Sequence, residues 1–319
     1  MNTFIIYGPT FEASDALFDD VKNVSSVIYL QYPIKNKFLY FLQRIHLNRL
    51  KFLPGKSIWK YLYIDKDIRD AYYVYCNPWS KFMYESGYIS ALKKKKPNSL
   101  HVAYLTDINS ARDLPLVQMK CVYDKIFIFD KDFAATNDIS FYPLVYSKKS
   151  YEKNDYEELS DLVFIGQAKG RTKTIIEVYN RMTELGLLCN FWIIGAAKGE
   201  QQNGDGIHFI DNPMKPQESI MHLINAKCVL ELMSEGVDAL SDRVIKAVVY
   251  NKKILTNNHK IKKFEYFNPQ KIKVFNSLND IQRDFFESDN ADYGYSGDYS
   301  PIKFLHYIEN NIVRRDVQK

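Results

Sequence analysis

The chain has 319 residues, 46% of them hydrophobic and 25% charged, with a net charge of +5 at pH 7. That size and balance belong to a globular protein with room for two ordinary domains. Cys76, Cys121, Cys189 and Cys228 are scattered, with no CxxC pair and no histidine at ligand spacing, which speaks against a zinc site or a disulfide framework and for buried thiols in a reducing compartment.

The first residues begin directly as a strand, with no basic region and long apolar core, and no run of 18 apolar residues follows. The expectation is a cytoplasmic protein without a secretory signal or spanning helix. The charge is uneven. Residues 1–150 hold 21 Lys and Arg against 14 Asp and Glu, whereas residues 151–319 hold 22 against 24. The basic surplus therefore sits in the first half, where it suits an anionic surface or partner.

Thr3–Tyr7 and Ser26–Leu30 read as strands closed by Gly8-Pro9 and Pro33. From Lys35, the positions Phe38, Phe41, Leu42, Ile45 and Arg49 follow helical spacing up to Pro54-Gly55. No acid occurs between Asp20 and Asp65, so residues 35–60 have two readings: a helix lying on an anionic membrane, or a core-packing helix with a basic rim. Ser57–Ile64 and Tyr72–Cys76 read as strands, and Pro78–Leu92 as helical, ending in a solvated run Lys93–Lys96. Leu100–Thr106, Lys125–Phe129 and Ser140–Val145 complete the strands of this half.

Ser147–Ser160 is charged and patternless, the expected linker between a domain at 1–150 and one at 151–319. Strands then return at Asp161–Ile165, Leu188–Ile194 and Gly206–Ile210. Ile220–Asn258 reads as a helix end, a buried strand, a polar loop, a helix from Ser241-Asp242-Arg243 and a second buried strand. A strand at Ile272–Phe275, a helix at Leu278–Phe286 and a last helix from Pro301 follow. Strands alternating with helices predict an α/β fold with mostly parallel sheets.

Ligands in such folds bind beyond the carboxyl ends of the strands. Gly166, Gln167, Lys169 and Arg171 form a glycine turn with two cations before a helix, a cradle for a diphosphate. It is neither GxGxxG nor a Walker loop. Gly195 closes a strand at the same end. Ser241 or Asp242 can cap the later helix, and Arg243 adds a donor fork suited to phosphate. Glu235 and Asp242 are candidates for ribose hydroxyls. Asp107 ends a strand of the first half and is either a general base or a turn cap. Asp130-Lys131-Asp132 has the spacing of a metal-binding pair, but capping is preferred, and no residue is assigned a metal.

The order and spacing of several stretches resemble bacterial GT-B-fold glycosyltransferases of capsule, lipopolysaccharide and exopolysaccharide assembly. They are Tyr104-Leu105-Thr106-Asp107, Asp124 to Asp132, Tyr142 to Tyr146, Leu162 to Gly166 with Arg171, and Asp242-Arg243 with Lys252 to Asn258. The resemblance implies two facing Rossmann-like domains, the acceptor on 1–150 and the donor on 151–319, with the option that the last helix (301–315) packs back on the first. It implies a nucleotide-diphosphate sugar as substrate, UDP-linked by preference, no cofactor and no obligatory metal. Gly166, Arg171 and Arg243 match donor-side positions, and Asp107 a cleft-facing strand end.

The expected function is hexosyl transfer to a glycan or lipid-linked acceptor in surface polysaccharide biosynthesis, with no nucleic-acid partner and with peripheral attachment to the inner membrane face as one reading. One departure stands out: Lys246-Ala247 occupies the place where such proteins commonly carry Glu-Ala, and an ammonium cannot accept a ribose hydroxyl. Either Glu235 or Asp242 substitutes, or Lys246 contacts phosphate, or donor binding is impaired. The alternatives are a non-catalytic glycosyltransferase-like binding protein, which Lys246 favours, and a nucleotide-sugar epimerase, which shares the two-domain architecture.

Overall fold

The computed structural model describes residues 2–34, 36–50, 54–66, 68–150, 160–233, 240–287 and 291–312. Glu235 and most of the expected linker lie outside these. The chain forms two compact units, Met1–Ser147 with Tyr299–Lys319, and Lys148–Asp298.

The first unit holds β1 (Phe4–Tyr7), β2 (Val27–Leu30), β3 (Tyr72–Cys76), β4 (Leu100–Leu105), β5 (Lys125–Ile128) and β6 (Ser140–Phe141). They form one parallel sheet in the order β2-β1-β3-β4-β5-β6. Parallel strands need crossover helices on their faces, so the central strands are near-continuous apolar runs. β1, β3 and β4 are buried at every position. The core is rich in tyrosine, and its phenols keep polar partners: Tyr104 donates to the Pro143 carbonyl at 2.8 Å, and Tyr123 to that of Ser80 at 2.6 Å. The helix Pro301–Asn311 packs on this unit, with the Phe304 ring 4.6 Å from Tyr104 and 4.5 Å from Tyr142.

The second unit holds β7 (Ser160–Gln167), β8 (Cys189–Ile194), β9 (Ile207–Ile210), β10 (Ala226–Glu231), β11 (Lys253–Thr256) and β12 (Ile272–Val274). This sheet is also parallel, in the order β12-β11-β10-β7-β8-β9.

Several local expectations change. Ser57–Ile64 is not a strand: Lys56–Tyr61 is a 3₁₀ helix, and only Tyr63 bridges to Ile34. Its apolar and aromatic residues serve a short helix that buries Trp59 and leaves Ile58 and Tyr61 outside. Leu278–Phe286 is two short turns rather than one helix: Leu278–Asp280, whose start is closed by a capping box between Ser277 and Asp280, and Asp284–Glu287. Cys121 is exposed, whereas Cys76 and Cys228 are buried. The lysine run is not simply solvated: Lys93 pairs with Asp124 at 2.7 Å, and Lys95 and the buried Lys96 both pair with Asp65.

The helix expected after Lys35 forms over Lys37–Arg44 and continues as a wider turn to Arg49, with Asn36 capping the Phe38 N–H at 2.8 Å. Its orientation is the surprise. Phe38 and Phe41 are 62% and 55% exposed, while Gln43 and Leu47 are fully buried.

Candidate functional site

In the second unit the chain leaves β7 outward through β8 and β9, then returns to place β10 on β7's other side. The gap beyond the carboxyl ends of β7 and β10 is therefore the topological switch point, where open α/β sheets leave room for a ligand. Two guanidinium groups straddle it.

Arg171 directly precedes the helix Thr172–Glu184 and follows a tight turn in which Lys169 and Gly170 both take positive φ, 45° and 74°. Its Nε donates to the Ala168 carbonyl at 3.2 Å, its Nη2 to that of Gln167 at 2.8 Å, and its Nη1 to that of Leu232 just past β10. It braces one lip of the gap to the other. Burial first, then the neighbouring Arg243 guanidinium, lower its pKa.

Arg243 lies in the first turn of the helix Asp242–Val249, and reaches back across the gap to β7. Its Nε donates to the Ile165 carbonyl at 3.0 Å, and its guanidinium carbon lies 5.1 Å from the centre of the Phe164 ring. Gly166 makes room for it: a Cβ there would stand 1.8 Å from Arg243 Nη2. Among the described residues, Nη1 and Nη2 of Arg243 donate to no acceptor. Two cations share this end of the sheet, one with each of its three nitrogens bound to a carbonyl and the other with both outer nitrogens open, an arrangement that favours an anion.

The helix behind Arg243 is pinned by its apolar face, with Val244, Ile245, Ala247, Val248 and Val249 buried. Each of the valine and isoleucine side chains contributes roughly 1.5–3 kcal/mol, so the guanidinium hangs from a rigid support. Ser241 occupies the N-cap position but makes no cap hydrogen bond. Instead its hydroxyl donates at 2.7 Å and its N–H at 3.1 Å to Oε1 of Glu231. The hydroxyl is turned to that carboxylate and accepts from none of the helix's own amides.

Glu231, fully buried at the end of β10, was not foreseen from the sequence. Its Oε2 accepts from Thr256 Oγ1 at 2.8 Å, so one carboxylate ties β10, β11 and the Ser241 helix start together. Burial raises its pKa, against the pull of Ser241, Thr256 and Arg243. The available signal was the lone acid in Cys228-Val229-Leu230-Glu231-Leu232, since buried acids require partners.

Lys246 is ion-paired with Asp242 at 2.8 Å, one turn back on the same helix. That ammonium, ahead of Arg243, holds the Asp242 carboxyl down to about 2. Gln167 and Lys169 are exposed on the turn. Gly195 lies past β8, on the far side of β7 from the gap, where its N–H donates to the Ile210 carbonyl at 3.2 Å. Glu235 is outside the described residues.

Asp107 belongs to the other unit, at the N-cap of the helix Ile108–Arg112. Its carboxylate accepts from the N–H of Asn109 at 3.1 Å and of Ser110 at 3.3 Å, and from the Ser110 hydroxyl at 2.5 Å. Asp130 likewise caps Lys131–Thr136 through the Phe133 N–H at 2.6 Å.

Each unit is thus a Rossmann-like parallel sheet, and the fold is of the GT-B class. No protein-family model matches the chain, and no curated protein matches it by sequence. Among solved structures it is similar to an alpha-glucosyltransferase in complex with UDP and a 13-mer DNA containing a HMU base, at 11% identity over 90% of this chain and 89% of that one, with a TM-score of 0.50. It is also similar to TarM, at 11% identity and a TM-score of 0.50, over 80% of this chain and 57% of TarM. At that identity the likeness is one of fold.

Proposed function

We propose that the protein is a glycosyltransferase whose second unit binds the diphosphate of a nucleotide sugar at the β7–β10 switch point. The observation that carries this reading is Arg243, held over the end of β7 with its outer donors open and with Gly166 leaving it space. The diphosphate leaving group is stabilised by that guanidinium and by the positive field of Arg171, so its departure needs no protonation. Asp242, with a side chain 48% exposed and its charge held by Lys246, is the carboxylate on this helix that can accept ribose hydroxyls, in place of the glutamate that Lys246 replaces.

A UDP-linked donor is the first to try, because the similar alpha-glucosyltransferase is in complex with UDP. The sequence resemblance favours a hexose and a glycan or lipid-linked acceptor of surface polysaccharide. Asp107 serves as base in this scheme only by giving up its cap to an acceptor hydroxyl.

The test is calorimetric titration with UDP, GDP, CDP and ADP. Binding of one of them, weakened about 10- to 100-fold by Arg243→Ala, is expected from the loss of a charged donor pair. Indifference of the wild-type protein to all four ends the reading. A second reading, a binding protein without transfer activity, is favoured by Lys246 alone. Tight nucleotide binding with no turnover of any nucleotide sugar would select it.

A further inference from the structure

We propose that the outward face of the Lys37–Arg49 segment docks the protein on an anionic lipid bilayer, with Phe38, Phe41 and Leu42 entering the headgroup region and Lys37, Arg44 and Arg49 meeting lipid phosphates. This is independent of the donor-site reading above. A surface helix normally turns its apolar stripe inward. Here Leu39, Tyr40 and Leu47 pack inward beside Gln43, whose Nε2 donates to the Tyr63 hydroxyl, and a second apolar stripe of Phe38, Phe41 and Leu42 is left pointing out.

The exposed apolar surface is concentrated. Of the eleven large hydrophobic side chains that stand exposed among the described residues, six lie between residues 38 and 61, including Ile58 at 60% and Tyr61 at 77%. The 3₁₀ turn bearing those two is bolted to the end of the helix by Trp59, whose indole N–H donates to His46 Nδ1 at 2.9 Å. A preformed, apolar and aromatic surface therefore exists without rearrangement.

Charge complementarity identifies the occupant. Lys37, Arg44, Arg49, Lys56 and Lys60 make no ion pair among the described residues, in contrast to Lys93, Lys95 and Lys96. No acid lies between Asp20 and Asp65. A second copy across a two-fold axis would set these cations against each other. Nucleic acid would satisfy the cations but leave Leu42 and Ile58 with nothing to bury them. An anionic bilayer accepts both features, because phosphates lie at the depth of the basic rim and acyl chains just below it. Among the described residues no helix is long and apolar enough to cross a membrane, so the contact is peripheral.

The test is sedimentation of the full chain with vesicles of phosphatidylcholine alone and with phosphatidylglycerol added. Pelleting is expected with the anionic vesicles and should fall as salt rises. Phe38→Ser with Phe41→Ser should lower the partition coefficient by about tenfold or more. Because both side chains are exposed, the melting temperature and UDP titration should stay those of the wild type. No pelleting with either vesicle, or pelleting undiminished in the double variant, overturns the proposal. So does a dimer or duplex-DNA complex that forms in place of vesicle binding and is abolished by the same two substitutions.

Discussion

The helices Lys37–Arg44 and Asp242–Val249 both set apolar side chains on a core, but only Lys37–Arg44 also turns a row of large ones, Phe38, Phe41 and Leu42, to solvent. Asp242–Val249 is a crossover between β10 and β11, so its valines close on the sheet and its polar first turn is left at the switch point. Lys37–Arg44 lies in the long connection between Leu30 and Tyr72, held from below by Tyr40, Gln43 and Leu47 rather than clamped between two paired strands. Amphipathic periodicity says that a helix has two sides. Which side meets the core is decided by what the chain does immediately before and after it.

The sharpest way to break this comparison is to put the same charge on both apolar faces. Val248→Asp buries an unpaired carboxylate and should destabilise the second unit by more than about 4 kcal/mol, enough to unfold it. Phe41→Asp should change stability by no more than about 0.5 kcal/mol, because that ring is already in water. Calorimetric melting of the two variants decides it, and equal damage from both would mean the Phe41 face is packed after all. Next in size is Gly166→Ala. Its methyl group collides with the end of a flexible side chain, so the fold should survive with a melting point lowered by a few degrees at most. The Arg243 guanidinium must move, and the Kd for the nucleotide diphosphate should rise at least about tenfold. If affinity is unchanged, Arg243 is not the diphosphate ligand.

Much of this architecture was legible before any coordinates. β1, β3, β4, β7 and β10 announce themselves as apolar runs of strand length bounded by turn residues. The strand–turn–helix pattern also brought Gly166, Arg171 and Arg243 to one end of a sheet. Other features depend on tertiary pairing. Ser57–Ile64 has the aromatic and apolar composition of a strand, but the structure pairs only Tyr63 of it, in a single bridge to Ile34. Ser241 has the chemistry of a cap, yet its hydroxyl is turned to Glu231, ten residues away. Arg171 looks like a ligand for phosphate, but three loop carbonyls already occupy it. Local sequence ranks what a side chain can do; the strand order decides which partner reaches it first.

The two carboxylates of the Asp242 helix start respond to pH in opposite ways. Asp242 is held at about 2, below the roughly 3.9 of an unfolded aspartate. Its contribution to stability is full above about pH 4 and is lost as pH falls toward 2. Glu231 is raised above its unfolded value by burial. The folded state then holds the proton longer, so stability is greatest below about pH 4 and declines as pH rises through the folded value. Denaturant titrations of Asp242→Asn and Glu231→Gln against wild type, across acid to neutral pH, should give differences of opposite slope. Parallel slopes would contradict the assignment of Glu231 as a buried, partly proton-retaining brace.

The smallest effect tests the roll of the Lys37–Arg44 helix itself. Gln43 is fully buried, and among the described residues its Oε1 has no hydrogen-bond partner. Leucine has similar bulk and no acceptor to leave unsatisfied. Gln43→Leu therefore gives up one hydrogen bond to Tyr63, worth about 1 kcal/mol, and removes an orphaned oxygen costing about 1–3 kcal/mol. The net change should be neutral or stabilising by about 1 kcal/mol, with vesicle partitioning unaltered. A helix rolled the other way would carry position 43 in water. Leucine there would add apolar surface beside the cations and strengthen vesicle binding without stabilising the fold, so the two readouts together report which face of this helix is turned to solvent.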